Sequence, residues 1–178
     1  MTTLILARDE HFAWLLGEAP PPEPLREAPG GVEQRRIVRW LRAVSAQLEA
    51  AGRPASWLIV DEGEVVGLCG FKGPPDAAGS AEIGYGIAET RRRNGHATEA
   101  VRLLCHEVGR VGGVRALRAE TAIDNPSSQR VLEHNGFVQV GARHDPDDGD
   151  LLLWSKLLAA AAESPASAPE AGNYGEAV

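Results

Sequence analysis

Apolar positions along the chain repeat with two periods, and these lay out its elements. Ile37, Leu41, Val44 and Leu48 recur at steps of four, three and four, lining one face of a helix over Val32 to Ala51. Ala97, Val101, Leu104 and Val108 repeat that spacing and predict a second amphipathic helix over Asn94 to Gly109. Shorter apolar runs predict strands at Thr2 to Ala7, Trp57 to Val60, Glu64 to Phe71, Ala81 to Ala88 and Ala116 to Ile123. Asp61, Glu62 and Gly63 join two of these as a β-hairpin, and the next strand makes three antiparallel strands in a row. Phe137 to Ala142 and Leu151 to Leu157 form a last hairpin around the acidic turn DPDDGD. A short helix is expected at Glu10 to Leu16. Another starts at Asn125, an N-cap followed by Pro126, and stops at Asn135 and Gly136, a left-handed C-cap.

Composition adds boundaries. With 178 residues, 43% hydrophobic and 24% charged, the chain has material for one globular core. Residues 17–31 hold five prolines and three glycines, too many for the interior of an element, and form a loop. Residues 159–178 hold eight alanines and three acids with no basic residue, so a domain over 1–158 followed by a tail, helical at first and then disordered, is expected. No apolar run approaches the roughly 20 residues of a membrane span, and the start lacks a basic n-region, which points to the cytoplasm. The net charge of −7 disfavours nucleic-acid binding. Cys69 and Cys105 read as buried free thiols, and the five histidines lack metal-ligand spacing, so no metal is expected.

The chemistry concentrates in AEIGYGIAETRRRNGHATEAV, Ala81 to Val101, where a strand runs through a basic turn into a helix. A helix N-terminus carries unpaired N–H groups and partial positive charge, Gly95 permits close approach of a phosphate, and Arg91, Arg92 and Arg93 add full charges. Equally, such a glycine ends a turn and such arginines form a solvated face. Neither Gly-Lys-Ser/Thr nor GxGxxG is present, which excludes the nucleoside-triphosphate and dinucleotide fingerprints.

These residues resemble the GNAT superfamily of acyl-CoA-dependent N-acyltransferases. Arg92, Gly95 and Ala97 match its Arg/Gln-x-x-Gly-x-Gly/Ala signature, and GFKGPP, EIGYGI, ATEA and DNPSSQRVLEHNGF follow in family order over most of Gly70 to Phe137. VLEHNGF and EIGYGI look most like the branch of ribosomal-protein N-terminal acetyltransferases. The resemblance implies an α/β fold, a mixed, mostly antiparallel sheet of about seven strands with helices on both faces. Acetyl-CoA, the implied co-substrate, would enter where the third antiparallel strand diverges from Ala116 to Ile123. Arg92, Arg93, Asn94, Gly95, His96 and Ala97 would give N–H groups to its pyrophosphate, Ile87 would pair with pantetheine, and Asn125 would contact the cofactor nearby. The His96 ring is expected to face solvent or cofactor rather than to act in catalysis. A backbone N–H near Tyr85 to Ile87 would polarise the thioester, and Glu82 is nominated as general base, although a strand-end carboxylate as readily just faces solvent or an arginine.

Two departures from the family pattern stand out. Arg93 replaces a frequent glycine, and Leu132 stands where a tyrosine often protonates the departing thiolate, leaving Tyr85, Ser128 or solvent for that role. The implied reaction is direct acetyl transfer to a primary amine, a small molecule or a protein N-terminus. The rival is a non-catalytic acyl-CoA-binding sensor or partner module. The expected partners are acetyl-CoA and an amine, with a homodimer as a further assembly and neither nucleic acid nor membrane. Trp14 and Trp40 suit an acceptor pocket but are more often core on such helices. The four aspartates from Asp145 to Asp150 read as a solvated hairpin tip.

Overall fold

The computed structural model describes residues 1–158, so the expected tail lies outside the described residues. Strands β1 (Thr3–Leu6), β2 (Arg26–Glu27), β3 (Ser56–Asp61), β4 (Glu64–Phe71), β5 (Ser80–Ile87), β6 (Ala116–Ala122), β7 (Val138–Asp145) and β8 (Gly149–Leu157) make one sheet, in the order β1-β3-β4-β5-β6-β8-β7. Every pairing along that path is antiparallel except β5 with β6. The eighth strand, β2, was not expected. Its two residues pair in parallel with Glu64 and Val65 of β4, a tertiary contact that gives a proline-rich loop no alternation to read.

Helices α1 (Asp9–Leu15), α2 (Arg35–Ala50), α3 (His96–Val111) and α4 (Pro126–His134) lie close to their expected spans. Alternation along the strands divides the core into two layers. Leu58, Val60 and Leu68 pack with Phe12 and Trp14 of α1 and with Val38 and Leu41 of α2. Trp57, Ile59, Cys69, Ile83 and Leu117 pack with Val101 and Leu104 of α3 and Leu132 of α4, and the far end of α2 joins them through Val44 and Leu48. The β3–β4 turn puts Glu62 and Gly63 at φ 48° and 75°, the doubly left-handed pair that matches strand twist in a two-residue hairpin. Among the described residues no helix is long and apolar enough to cross a membrane.

Candidate active site

The sheet opens at its centre. β5 and β6 pair only over Ser80–Glu82 and Ala116–Arg118, after which the two strands separate. On its other side β5 stays paired with β4, and the bonds Lys72 N–H to Glu82 C=O (2.8 Å) and Ala88 N–H to Val66 C=O (2.8 Å) fix the alternation. Even-numbered residues of β5 therefore bond to β4, while the main-chain groups of Tyr85 and Ile87 point into the opening. The Ile87 carbonyl accepts the Nε of Arg92 at 3.2 Å, which leaves the Ile87 N–H and both groups of Tyr85 facing the gap.

At the end of β5 the chain makes a 3₁₀ turn at Glu89–Arg91 and enters α3. Gly95, its N-cap, sits at φ 80° and offers no side-chain cap. Glu99 N–H reaches Gly95 C=O at 3.1 Å, but no main-chain N–H from Arg93 to Thr98 has an acceptor among the described residues. At α4, by contrast, the Asn125 Oδ1 accepts Ser128 N–H at 3.1 Å and Ser127 Oγ at 2.7 Å. The α3 entrance is thus a nest of free donors suited to an anion.

The basic side chains divide their roles. Arg91 is turned away, its guanidinium 2.6 and 3.2 Å from Glu64, whose carboxyl it holds below the usual range. Arg92 spends its Nε on Ile87, Asn94 donates to Arg91 C=O at 3.3 Å, and Arg93 makes no side-chain bond among the described residues. Arg93 sits at φ 67°, where L side chains are strained, which accounts for glycine at this place in the family pattern. Arg93→Gly is expected to raise the thermal midpoint by about 1–3 °C in a melting experiment, since relief of a left-handed side chain outweighs the added freedom of the unfolded chain. The His96 ring departs from expectation: it is buried and meets Thr2 Oγ1 at 2.9 Å, because the first turn of α3 packs against the start of the chain. What remains for His96 is its main-chain N–H.

An open cleft of about 240 Å³ runs through the gap from one face of the sheet to the other. On the α3 and α4 side it is lined by Ile83, Tyr85, Ala119 and Ser128. The Tyr85 hydroxyl donates to Ser128 C=O at 3.1 Å, bridging β5 and α4, and burial pushes its phenol up to about 12. Cys69 also borders the cleft, and burial raises both it and Cys105, so neither thiol is poised as a thiolate. Leu132 is fully buried in the core.

On the α1 and α2 side the floor is Gly84 and Gly86, walled by Ile37, Trp40, Leu41 and Lys72 with Glu33 and Glu120. Trp40, expected more often in the core, is 41% exposed at this wall, one position off the buried stripe of α2; Trp14 is core. Glu82 lies at the mouth of the gap on this same face, in an ion pair with Lys72. Asp145 is tied up at its hairpin tip by Arg143 and by the N–H groups of Asp147 and Asp148.

Sequence reasoning missed Glu33. It precedes α2 in the chain and reads there as an ordinary acid at a helix start, and only the fold lays it over β5. A β-carbon on Gly86 would stand 2.8 Å from its Oε2. Glycine in the middle of a strand, a sign of close approach, was the available signal.

Residues 3–138 match the family model described as an acetyltransferase (GNAT) domain. The chain is 39% identical over 85 residues to an uncharacterized N-acetyltransferase, YjdG, of Bacillus subtilis, and 29% identical over 97 residues to the ribosomal-protein-serine acetyltransferase of Escherichia coli. The matches cover 47% and 54% of this chain, and it spans only about half the length of each relative, 51% and 54%. In fold it resembles RimL, a ribosomal L7/L12 alpha-N-protein acetyltransferase solved with coenzyme A, with a TM-score of 0.66 at 20% identity over 88% of this chain and 94% of that one. With the matched model covering the whole strand, turn and helix arrangement around the gap, the chain belongs to the GNAT acetyltransferase family.

Proposed function

We propose that this chain transfers the acetyl group of acetyl-CoA to a primary amine, by direct attack within a ternary complex. One observation carries the reading: an uncapped helix entrance with unpaired N–H groups opens beside a strand edge whose main-chain groups face a gap. The donors from Arg93 to Thr98, including those of Asn94, Gly95, His96 and Ala97, suit the pyrophosphate, with the Arg92 and Arg93 guanidinium groups beside it. The edge at Tyr85 and Ile87 suits pantetheine as an added strand, and Asn125, whose Oδ1 is committed to the α4 cap, keeps its amide N–H groups for a contact with the cofactor.

In the proposed chemistry an N–H of Tyr85 or Ile87 stabilises the oxyanion as the neutral amine attacks the thioester carbon. The C–N bond forms, the C–S bond breaks and the CoA thiolate leaves. Glu82 takes the proton shed by the amine, directly or through water. The thiolate takes its proton from solvent, Ser128 or Tyr85, whose hydroxyl would first leave the Ser128 carbonyl. No acyl-enzyme is needed, in keeping with the raised thiols. A module that only bound acyl-CoA would have no use for carboxylates on the opposite face, which favours transfer over the sensor reading. We place the chain in the cytoplasm, whose reducing poise suits two free buried thiols.

Glu82→Gln is expected to lower kcat/KM by about 10²-fold and to leave acetyl-CoA affinity unchanged. An unaltered kcat/KM across pH removes Glu82 as the base.

A further inference from the structure

Three carboxylates stand on the α2 face of the opening, and two of them already hold a cationic partner. Glu82 is paired with Lys72, and Glu120 is held by both ends of the Arg143 guanidinium at 2.9 and 2.6 Å. Glu33 has no cationic partner among the described residues; its one recorded bond is from the Gln34 N–H to Oε1 at 2.8 Å. Its other oxygen lies over Gly86, beside the stretch of β5 whose neighbours Tyr85 and Ile87 face the gap. Around it are Ile37, Trp40 and Leu41, which are apolar.

We infer that Glu33 receives the ammonium of the acceptor and sets its class: an amine with a single positive charge and an uncharged, partly apolar body, as at a free α-amino terminus. One unpaired carboxylate matches one ammonium. The further charges of a polyamine would face the apolar wall of Ile37, Trp40 and Leu41, while Glu82 and Glu120 already hold Lys72 and Arg143. An α-amino group of pKa about 7.7–8.0 also yields its neutral form at pH 7 far more readily than a lysine side chain near 10.4. The glycine at position 86 is part of the device, because a side chain there would occupy the place of the carboxylate. This assignment rests on the acetyl-transfer reading above: the ammonium held at Glu33 first gives one proton to bulk water to become the neutral nucleophile, and Glu82 accepts the second as the C–N bond forms.

The test compares the full chain with Glu33→Gln, which keeps an oxygen acceptor for the Gln34 N–H and so preserves the start of α2. Acetyl-CoA affinity is measured by calorimetry, and thiol release is followed with a dipeptide amide bearing a free α-amino group and an uncharged first side chain, then with spermidine. The expected result is a KM for the dipeptide amide raised about 10- to 100-fold, with kcat and acetyl-CoA affinity within about twofold of the parent. Gly86→Ala, which keeps the charge but pushes the carboxylate off the strand, is expected to raise the same KM. An unchanged KM in Glu33→Gln overturns the inference, as does a parent chain that prefers spermidine. A parent that binds acetyl-CoA and releases thiol to neither amine overturns the transfer reading itself, and the inference falls with it.

Discussion

Gly95→Val is expected to weaken CoA binding by about a hundredfold or more while leaving the fold intact. Gly95 holds φ 80° at the entrance to α3, and a β-branched residue reaches that region only with strain. No atom lies within 4 Å of a β-carbon built there, so the packing cost is small. The folded state should lose about 1–2 kcal/mol, lowering the melting midpoint by about 2–8 °C. The ligand loses more, because relaxing the turn redirects the N–H groups of Gly95, His96 and Ala97, and the new side chain fills the space where a phosphate would approach. A hundredfold loss is about 2.7 kcal/mol, the value of one or two charge-assisted bonds. Calorimetric titration with CoA beside a thermal melt separates the two effects. Unchanged affinity would mean that the phosphates bind elsewhere.

The second large effect is on stability. Leu132→Ala should cost about 3 kcal/mol, within the usual range of about 2–5 for a buried leucine, and lower the midpoint by about 6–12 °C. Leu132 is 0% exposed and belongs to the layer that joins α3 and α4 to the sheet. The same burial bears on chemistry, because the tyrosine that often occupies this place in the family pattern has no room here. Leu132→Tyr overpacks the layer, at about 1–3 kcal/mol, and is expected to raise no rate. A midpoint for Leu132→Ala within about 1 °C of the parent would show that α4 docks loosely.

The legible parts of the molecule were those that local chemistry decides. The stripes of α2 and α3, the Asn125–Pro126 start of α4 and the Glu62–Gly63 turn each carry their cause within a few residues. The turn into α3 was legible for the same reason, since Gly95 marks its left-handed entrance. Illegible were the features that distant residues decide. Arg91 looks like part of a basic cluster until Glu64, 27 residues earlier, claims it. His96 looks like a group at the site until Thr2 draws it inward, and β2 becomes a strand only because β4 lies beside it. Glu33 belongs to this class, as does the pairing of Glu82 with Lys72.

The most direct test of the account is mass analysis of a reaction between the full chain, acetyl-CoA and a peptide with a free N-terminus, with CoA thiol counted in the same samples. The account predicts one acetyl mass on the peptide amine for each thiol released, and none on the protein. Acetyl found on the protein, or acetyl-CoA left intact beside every amine offered, would contradict it.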